Sequence, residues 1–395
     1  MLETHTAKTC EEFRRLFSKW PHISLTYADE HGEIGFQLAG QVPRRISGFG
    51  TMPMPGWEED SGWSEDLVPF DEMPHTVNPG SGFVATANNQ PLPSEQGPFL
   101  GVDWLDGYRV SRINEIVDAG DDWNIDDTAR AQLDTLSIPW REMRDAVLAV
   151  GPSTTEAQRA LDMLADWDGL VEVDSVGATV FEFFLKEMVQ RVAMIKAPRS
   201  WEWVIGRSET PVHSLTLLSG RRVGHLVNLL RNRPDGWSDI SFSKLIDDSL
   251  VAAITELLAR HGADQDNWRW GHLRPLTLKH PVGRSKWLAP VYNLPPVPCP
   301  GDTNTVFQTG ADPRDAGGHP LVCPSMRMVI DVGNWDENAF ALPGGQSGNP
   351  LSPHYDDQFQ LWTEGRGITI PWTPGAVEKV AVSTLSLLPE SVGRP

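Results

Sequence analysis

The stretch YADEHGEIGFQLAGQVPRR, residues 27–45, continues an alternating run that begins at Ile23. Apolar residues occupy every second position up to Tyr27 and again from Ile34 to Leu38, on either side of Asp29-Glu30-His31-Gly32. Such alternation around a turn that ends in glycine is typical of two half-buried strands. The stretch therefore predicts a β-hairpin.

A second stretch, NPGSGFVATANNQP at residues 78–91, follows a connection rich in Pro, Gly and Trp. Its Asn-Pro-Gly-Ser-Gly start is a turn signal, and the apolar run Phe83–Ala85 predicts a strand that leads to Asn88-Asn89. We expect Trp57 and Trp63 to anchor the connection on the protein surface. The pair of amide side chains at the end of this strand requires an explanation.

Composition excludes several classes of function. The 395 residues suffice for one large domain or two ordinary ones, and 40% of them are hydrophobic. The formal net charge is -20, and no basic run interleaved with aromatic residues is present, so nucleic acid is not expected as a partner. No stretch approaches the ~20 consecutive apolar residues of a membrane helix. The sequence is that of a globular chain.

Helical spacing of apolar residues dominates the middle of the chain, whereas short apolar runs between turn residues dominate its end. The α+β fold class follows from this order of strands, then helices, then strands. We predict a β-rich part at residues 1–110, a mainly helical part at 111–262 and a β-rich part at 263–395. The predicted helices are Thr9–Ser18, Val110–Ala119, one from Asp126, one capped by Thr154 or Thr155 and ending at Trp167, Ala178–Ile195, which is buried, and Ser241–Arg260; the predicted late strands are Arg327–Val332 and Asn338–Leu342.

Short motifs in both stretches and along the rest of the chain resemble the β chain of penicillin acylases, a family of N-terminal-nucleophile amidohydrolases. The motifs occur in the family's order over nearly the whole chain. They are Tyr27-Ala28-Asp29, Asn78-Pro79, Asn88-Asn89, Tyr108-Arg109-Val110-Ser111-Arg112-Ile113, Trp167-Asp168-Gly169, Trp270-Gly271-His272, Gly301-Asp302-Thr303, and Gly345-Gln346-Ser347-Gly348-Asn349 with His354-Tyr355 and Asp357-Gln358.

The resemblance implies a four-layer αββα sandwich with a helical insertion. It also implies an enzyme that hydrolyses a linear amide, such as the bond between an acyl side chain and a β-lactam nucleus. The family's N-terminal serine nucleophile lies well upstream of the Tyr-Ala-Asp motif, so we expect its strand, the rest of the N-terminal part of the β chain, and the α chain to lie outside this sequence. The sandwich would then be incomplete here, and this chain alone would be inactive.

Two residues gain roles from the resemblance. Asn88 matches the asparagine whose side-chain amide supplies one donor to the oxyanion hole, and Arg112 matches an arginine that supports the active site. Arg109 lies close to Arg112 in sequence, and a surface ion pair is an equally good interpretation for it. No catalytic cofactor is implied. The complete enzyme is expected to hold a structural calcium, whose ligands in this chain are not assigned.

Other interpretations stay open. The substrate could instead be an acyl-homoserine lactone or a lipopeptide, and the chain could be a noncatalytic remnant or an interaction module. His272, His280 and His354 would suit a histidine-assisted hydrolase, but no Ser or Cys with a carboxylate accompanies them at a recognisable spacing. Ser347 lies in a glycine-rich turn without the strand-to-helix context of a nucleophile. We interpret all four as structural residues.

The resemblance implies a periplasmic or secreted enzyme, although this chain shows no signal peptide. Three cysteines allow one disulfide. Cys299 and Cys323 flank a loop rich in Gly, Asp and Pro, where a bridge would suit an exported enzyme, and two free thiols are the alternative. Cys10 would remain unpaired.

Overall fold

The computed structural model of the chain describes residues 2–93, 95–207 and 222–387. Three small antiparallel sheets occur in this part, with three, two and two strands. Their strands are β1 (Ile23–Ala28), β2 (Ile34–Ala39), β3 (Pro43–Arg45), β4 (Trp63–Leu67), β5 (His75–Val77), β6 (Arg327–Ile330) and β7 (Asn338–Ala341).

The first sheet contains the predicted hairpin. β1 and β5 pair antiparallel with opposite edges of β2, so β2 is the central strand. Asp29 closes the turn because its Oδ1 accepts the backbone N–H groups of His31 and Glu33, each at 2.9 Å. Gly35 is required beside the Tyr27 ring, since a Cβ there would lie 2.3 Å from it. The hairpin prediction is confirmed.

The segment after β5 is attached to this sheet by Asn78. Asn78 accepts the backbone N–H of Ile34 on its Oδ1 at 2.9 Å, and its own N–H donates to the Ile34 carbonyl at 2.9 Å. The strand predicted at Phe83–Ala85 is wrong, because these half-buried residues have no strand beside them. The next ladder contact is a single bridge between Asn89 and Leu105. Asn88 therefore lies in irregular structure.

Most of the middle of the chain is helical. The predicted helices are all present, although the sequence missed the helices at residues 138–148 and 222–232 and five short ones of four to seven residues. The helices are α1 (Cys10–Leu16), α2 (Tyr108–Asp118), α3 (Ile125–Ala131), α4 (Ile138–Leu148), α5 (Thr155–Ala165), α6 (Val176–Lys196), α7 (Trp201–Val204), α8 (Arg222–Asn232), α9 (Phe242–His261), α10 (Trp270–Leu273), α11 (Ala289–Tyr292), α12 (Phe359–Thr363) and α13 (Pro374–Val380).

Helix α6 is the centre of the largest core. It begins after Ser175, whose hydroxyl accepts the Ala178 N–H at 3.1 Å as an N-cap. Apolar residues surround this helix on most sides, and it packs against α5, α8 and α9. Phe181, Phe183 and Phe184 are each 0% exposed. The prediction that this helix is buried is confirmed.

Two motifs that resemble those of penicillin acylases, Trp270-Gly271-His272 and Gly301-Asp302-Thr303, pack against each other beside this core. The indole Nε1 of Trp270 donates to the carbonyl of Gly301 at 2.8 Å. Gly301 has φ 78°, and a Cβ at this position would lie 1.9 Å from the Phe307 carbonyl oxygen. Only glycine fits such a backbone. Gly271 likewise lies close to backbone, with a Cβ position 2.9 Å from the nitrogen of Cys299. These motif residues have packing roles.

The last part of the chain contains few strands. β6 and β7 pair in register from Arg327 with Ala341 to Ile330 with Asn338, which confirms both predicted strands. In the described residues beyond 262, these are the only two strands, and turns, short helices and irregular segments make up the rest. The structure has less strand in this part than the predicted β-rich region at residues 263–395 requires, because short apolar runs between Pro and Gly form loops here.

Large apolar side chains remain exposed on the surface. Trp57 is 86% exposed, so it does not anchor its connection, whereas Trp63 packs under the guanidinium of Arg45 at 3.8 Å from the ring centroid. Met52 is 74% exposed in the same connection. Within the described part of the chain, no helix has the length and apolar character to cross a bilayer.

Candidate active site

Asn88 adopts a backbone conformation that few residue types accept. Its φ is 62°, in the left-handed region where asparagine is enriched. Its carbonyl accepts the N–H of Leu105 at 3.1 Å, and the preceding Ala87 is only 8% exposed. The backbone is thus anchored on one side while the Asn88 side chain stays exposed.

Arg109, in the first turn of α2, determines the orientation of the Asn88 amide. Its Nη2 donates to the Oδ1 of Asn88 at 2.9 Å and to the carbonyl of Ala87 at 2.8 Å. A guanidinium carries only donors, so the amide atom that it contacts must be the oxygen. The Nδ2 group of Asn88 consequently faces away from Arg109.

The two neighbouring asparagines differ in what their amides do. Asn89 uses both ends locally: its Oδ1 accepts the Ala87 N–H at 3.0 Å and its Nδ2 donates to the Gln90 carbonyl at 3.0 Å. Asn88 Nδ2 donates to no group of the described residues. Asn88 therefore presents a fixed N–H donor to the outside, and Asn89 holds the backbone that carries it.

The charge of Arg109 has no carboxylate partner among the described residues. Burial lowers the pKa of its guanidinium, which nevertheless stays protonated at neutral pH. Its charge is stabilised by the carbonyl of Ala87 and by the amide oxygen of Asn88. A cation on Oδ1 also polarises the amide, which makes the Nδ2 hydrogens better donors.

Arg112, one helical turn further along, has different partners. It forms a bidentate pair with Asp134, with Nε–Oδ1 at 3.0 Å and Nη2–Oδ2 at 2.7 Å, and its Nη1 donates to Glu115 at 3.2 Å. Glu115 also binds Arg141, and that contact lowers the pKa of the Glu115 carboxyl. The structure thus brings Arg109, not Arg112, to Asn88, and the active-site role of Arg112 stays a prediction.

Arg112 lines an open cleft of about 590 Å³. This open cleft lies between the end of α2 and α3, with Trp123 and Leu133 on its apolar side. Arg130 and Asp127, both in its wall, pair with each other. Because the arginines in this cleft already have carboxylate partners, we assign no catalytic role to it.

The four residues considered for a histidine-assisted hydrolase lie in structural contacts. His354 Nδ1 is 2.8 Å from Asp357, His272 is 3.2 Å from Asp174, and the ring of His280 packs against a tyrosine. Ser347 donates its backbone N–H to the His354 carbonyl at 2.9 Å. No imidazole nitrogen of these histidines bonds to a Ser or Cys side chain in the described residues; His354 contacts Ser352 Oγ only through its backbone N–H, at 3.1 Å.

Cys299 and Cys323 are free thiols in this structure, so the predicted disulfide is absent. Both pack into one apolar cluster with Phe307 and Trp362, where a thiol acts as a small hydrophobic group. Burial raises the pKa of the Cys299 thiol to about 12. Cys10 is also free and buried.

The described residues contain one group that could hold a metal ion, and it does not suit calcium. Cys10, Asp29 and Glu33 lie within reach of a common ion. Calcium takes six to eight oxygen ligands, whereas this group offers a thiol and two carboxylates. Asp29 already accepts the Cys10 thiol at 3.4 Å and closes the hairpin turn. The structural calcium stays a prediction.

Comparison with known structures defines the class of protein. The chain superposes on the thermostable penicillin G acylase from Alcaligenes faecalis with a TM-score of 0.67, over 100% of this chain and 72% of that chain at 21% identity. It therefore has the fold of N-terminal-nucleophile hydrolases. The penicillin amidase family matches residues 1–379, and this chain belongs to that family.

Relatives with two kinds of name match at similar levels. The penicillin acylase 2 proenzyme of Pseudomonas sp. (strain SE83) is 28% identical, over 93% of this chain and 46% of that protein. An acyl-homoserine lactone acylase of Pseudomonas fluorescens (strain Pf0-1) is 26% identical with the same coverage. Penicillin G acylase of Escherichia coli is 26% identical over 86% of this chain. The chain spans slightly less than half the length of the first two relatives.

Sequence reasoning missed the contact of Arg109 with Asn88. Arg109 and Arg112 are three residues apart on α2 and therefore lie on similar sides of the helix. Helical spacing alone could not separate them. The one available signal was the carboxylate pattern within the helix, since Arg112 is followed by Glu115 after three residues, whereas the residues three and four positions after Arg109 are Arg112 and Ile113.

Proposed function

We propose that this chain supplies the oxyanion-binding part of an amidase that hydrolyses a linear amide. The observation that carries the proposal is the amide of Asn88, which Arg109 holds with its N–H donor directed outward. An oxyanion hole needs a donor that is fixed before charge develops. An amide also donates at any pH, because it does not titrate.

In this proposal the reaction proceeds by acyl transfer. A serine nucleophile at the start of a β chain attacks the amide carbonyl, and Asn88 Nδ2 donates to the oxygen as it becomes an oxyanion. The amine leaves, and water then releases the acid from the acyl-enzyme. Arg109 stays protonated and positions the Asn88 amide.

The nucleophile in this proposal comes from outside residues 1–395, together with an α chain and the remaining N-terminal part of the β chain. Coverage of less than half of the relatives supports this arrangement. These segments would also complete the αββα sandwich. An enzyme of this kind would act in the periplasm or outside the cell.

Penicillin and acyl-homoserine lactone are both candidate substrates, because relatives named for them match at 28% and 26% identity, respectively. Both are linear amides. They differ in the acyl chain and in the amine, and neither Asn88 nor Arg109 distinguishes one acyl chain or amine from another. We propose the reaction and leave these two substrates as alternatives.

The test is hydrolysis by the assembled enzyme. Upstream segments from the gene are co-expressed with this chain, and release of amine from a phenylacetyl amide and from a long-acyl homoserine lactone is measured. We expect turnover of at least one substrate by the assembly and none by the chain alone. Turnover by the chain alone would contradict the proposed origin of the nucleophile. A well-folded assembly that hydrolyses no amide would support a noncatalytic remnant or interaction module.

A further inference from the structure

A small cavity between α6 and the loop that follows Gly301 contains two carboxyl groups. Glu182 of α6 and Asp302 both line it, and its volume is about 30 Å³. That volume suits a single water molecule and excludes an organic ligand. The cavity plays no part in the proposed amide hydrolysis.

Both carboxyl groups have an oxygen that lacks an ordinary partner. Glu182 Oε1 and Asp302 Oδ2 are buried and accept no hydrogen bond from a described residue. Asp302 is only 4% exposed, and its other oxygen accepts the N–H groups of Asn304 at 2.6 Å and Thr305 at 2.8 Å. Because both residues line the same small cavity, their buried carboxyl groups share one confined space. Such an arrangement is attractive only when it contains a proton.

Two of the three cations that line the cavity are bonded to other groups, and the charge of the third, Arg222, opposes the rise in the pKa of Glu182 without cancelling it. Arg274 is 1% exposed, and its guanidinium donates to the carbonyls of Gly301, Thr309 and Gly318 and to a threonine hydroxyl rather than to either acid. Lys186 pairs with Glu256. The remaining charged groups that line the cavity are Arg222, Asp312 and Asp315, of which Asp312 pairs with Arg314 and Asp315 with Arg260.

We propose that Glu182 and Asp302 form a proton-binding site, in which the two carboxyl groups share one proton at neutral pH. The shared hydrogen bond fastens α6 to the Gly301 loop. A metal cation is a poorer occupant, because Arg274 and Arg222 already place positive charge around the cavity.

Burial, followed by the Asp302 charge, raises the pKa of Glu182 well above its usual value, and Arg274 opposes this rise. The folded chain therefore keeps a proton that the unfolded chain releases above the usual pKa of about 4.3. Stability is highest below that pH and falls as the pH rises toward the raised pKa. For one proton, the folding equilibrium constant falls about tenfold per pH unit in this window.

The test compares Glu182→Gln with the wild-type chain by urea unfolding between pH 5 and pH 8. Glutamine keeps the shape of the protonated acid and can donate to Asp302 at every pH. We expect the ratio of the variant's folding constant to that of the wild type to rise about tenfold per pH unit. Glu187→Gln is the matched control, since Glu187 lies on the same helix and pairs with Lys186 and Arg191. The ratio of the Glu187→Gln folding constant to that of the wild type should not change with pH.

Asp302→Asn provides a second variant, because its oxygen can still accept the two backbone N–H groups and its amide can donate to Glu182. Its ratio to the wild type should also rise with pH, but less steeply than that of Glu182→Gln, because burial still raises the pKa of Glu182 in this variant. A pH-independent ratio for both variants would overturn the proposal, as would failure of both to fold at any pH. Stabilisation of the wild type, but not of Glu182→Gln, by calcium chloride at pH 8 would also overturn it and identify a cation site.

Discussion

The helical part around α6 and the loop that carries Asn88 are held by different kinds of contact. The helical part buries a continuous set of apolar side chains, including Trp140, Phe181 and Leu250. In the loop, Ala87 is the single fully buried residue of positions 78–93 and 95–107. Side-chain hydrogen bonds from Asn78, Asn89 and Arg109 fix the loop instead.

This difference indicates that stability and activity should respond to different substitutions. Apolar burial is roughly proportional to area, so truncation in the helical core lowers the stability of the whole chain. A polar contact in the loop fixes one orientation at a modest net free energy. Loss of such a contact should change the position of Asn88 while the chain stays folded.

The largest effect on stability is expected from Phe181→Ala. Phe181 is 0% exposed and lies between Trp140 and Trp167, with ring centroids 5.5 and 5.4 Å away. Its truncation should cost about 3–5 kcal/mol in the free energy of unfolding. Urea unfolding measures this loss. A loss below about 1 kcal/mol would show that this core does not dominate stability.

Arg109→Met should have the next largest effect, and on activity rather than stability. The variant loses a charge-assisted hydrogen bond to Asn88 Oδ1, worth about 1.5–3 kcal/mol, so kcat should fall about 10–100-fold in the assembled enzyme. In an enzyme that already carries Asn88→Gly, the same substitution should lower kcat much less, because the amide that it positions is gone. Additive losses would contradict this positioning role.

Arg112→Gln separates the two arginines of α2. Asp134 would lose its bidentate partner, so we expect a loss of about 1–2 kcal/mol in the free energy of unfolding, with kcat close to that of the wild type. Melting temperature and turnover are measured on one preparation. If kcat falls as far as in Arg109→Met, the active-site role that the sequence predicts for Arg112 is correct.

Trp57→Ser should have the smallest effect on stability, within about 0.5 kcal/mol, because the indole is 86% exposed. The comparison of melting temperatures checks this. A clear destabilisation would restore the anchoring role that the sequence predicted. Trp63→Ser is a useful partner variant, since the Trp63 ring packs on Arg45.

The sequence predicted about half of the regular elements, namely those with a clear local pattern. Alternation located the hairpin, and the predicted cap at Thr154 or Thr155 located a helix that Thr154 does cap. Helix α8 was missed, and the strand at Phe83–Ala85 was wrongly predicted because a short apolar run is ambiguous without a neighbouring strand. Strand formation depends on a partner that is distant in sequence.

The candidate site was only partly predictable for the same reason. Resemblance identified Asn88, whose amide function depends on its residue type. Its partner Arg109 is 21 positions away along the chain and is joined to it by tertiary structure. The proposed proton-binding site of Glu182 and Asp302 could likewise not be predicted from sequence, because it combines a helix with a loop 120 residues later.

Substitution of Asn88 by glycine in the assembled enzyme tests the central claim most directly. Glycine accepts the φ of 62°, so the variant removes the amide without the backbone strain that alanine would add. Asn89→Ala is the matched control, because Asn89 uses its amide to hold the backbone. Single-turnover acylation and melting temperature are measured for both. We expect Asn88→Gly to lower the acylation rate about 10²–10³-fold with little change in melting temperature, and Asn89→Ala to lower melting temperature first. Normal acylation by folded Asn88→Gly would contradict the assignment of Asn88 as the oxyanion donor.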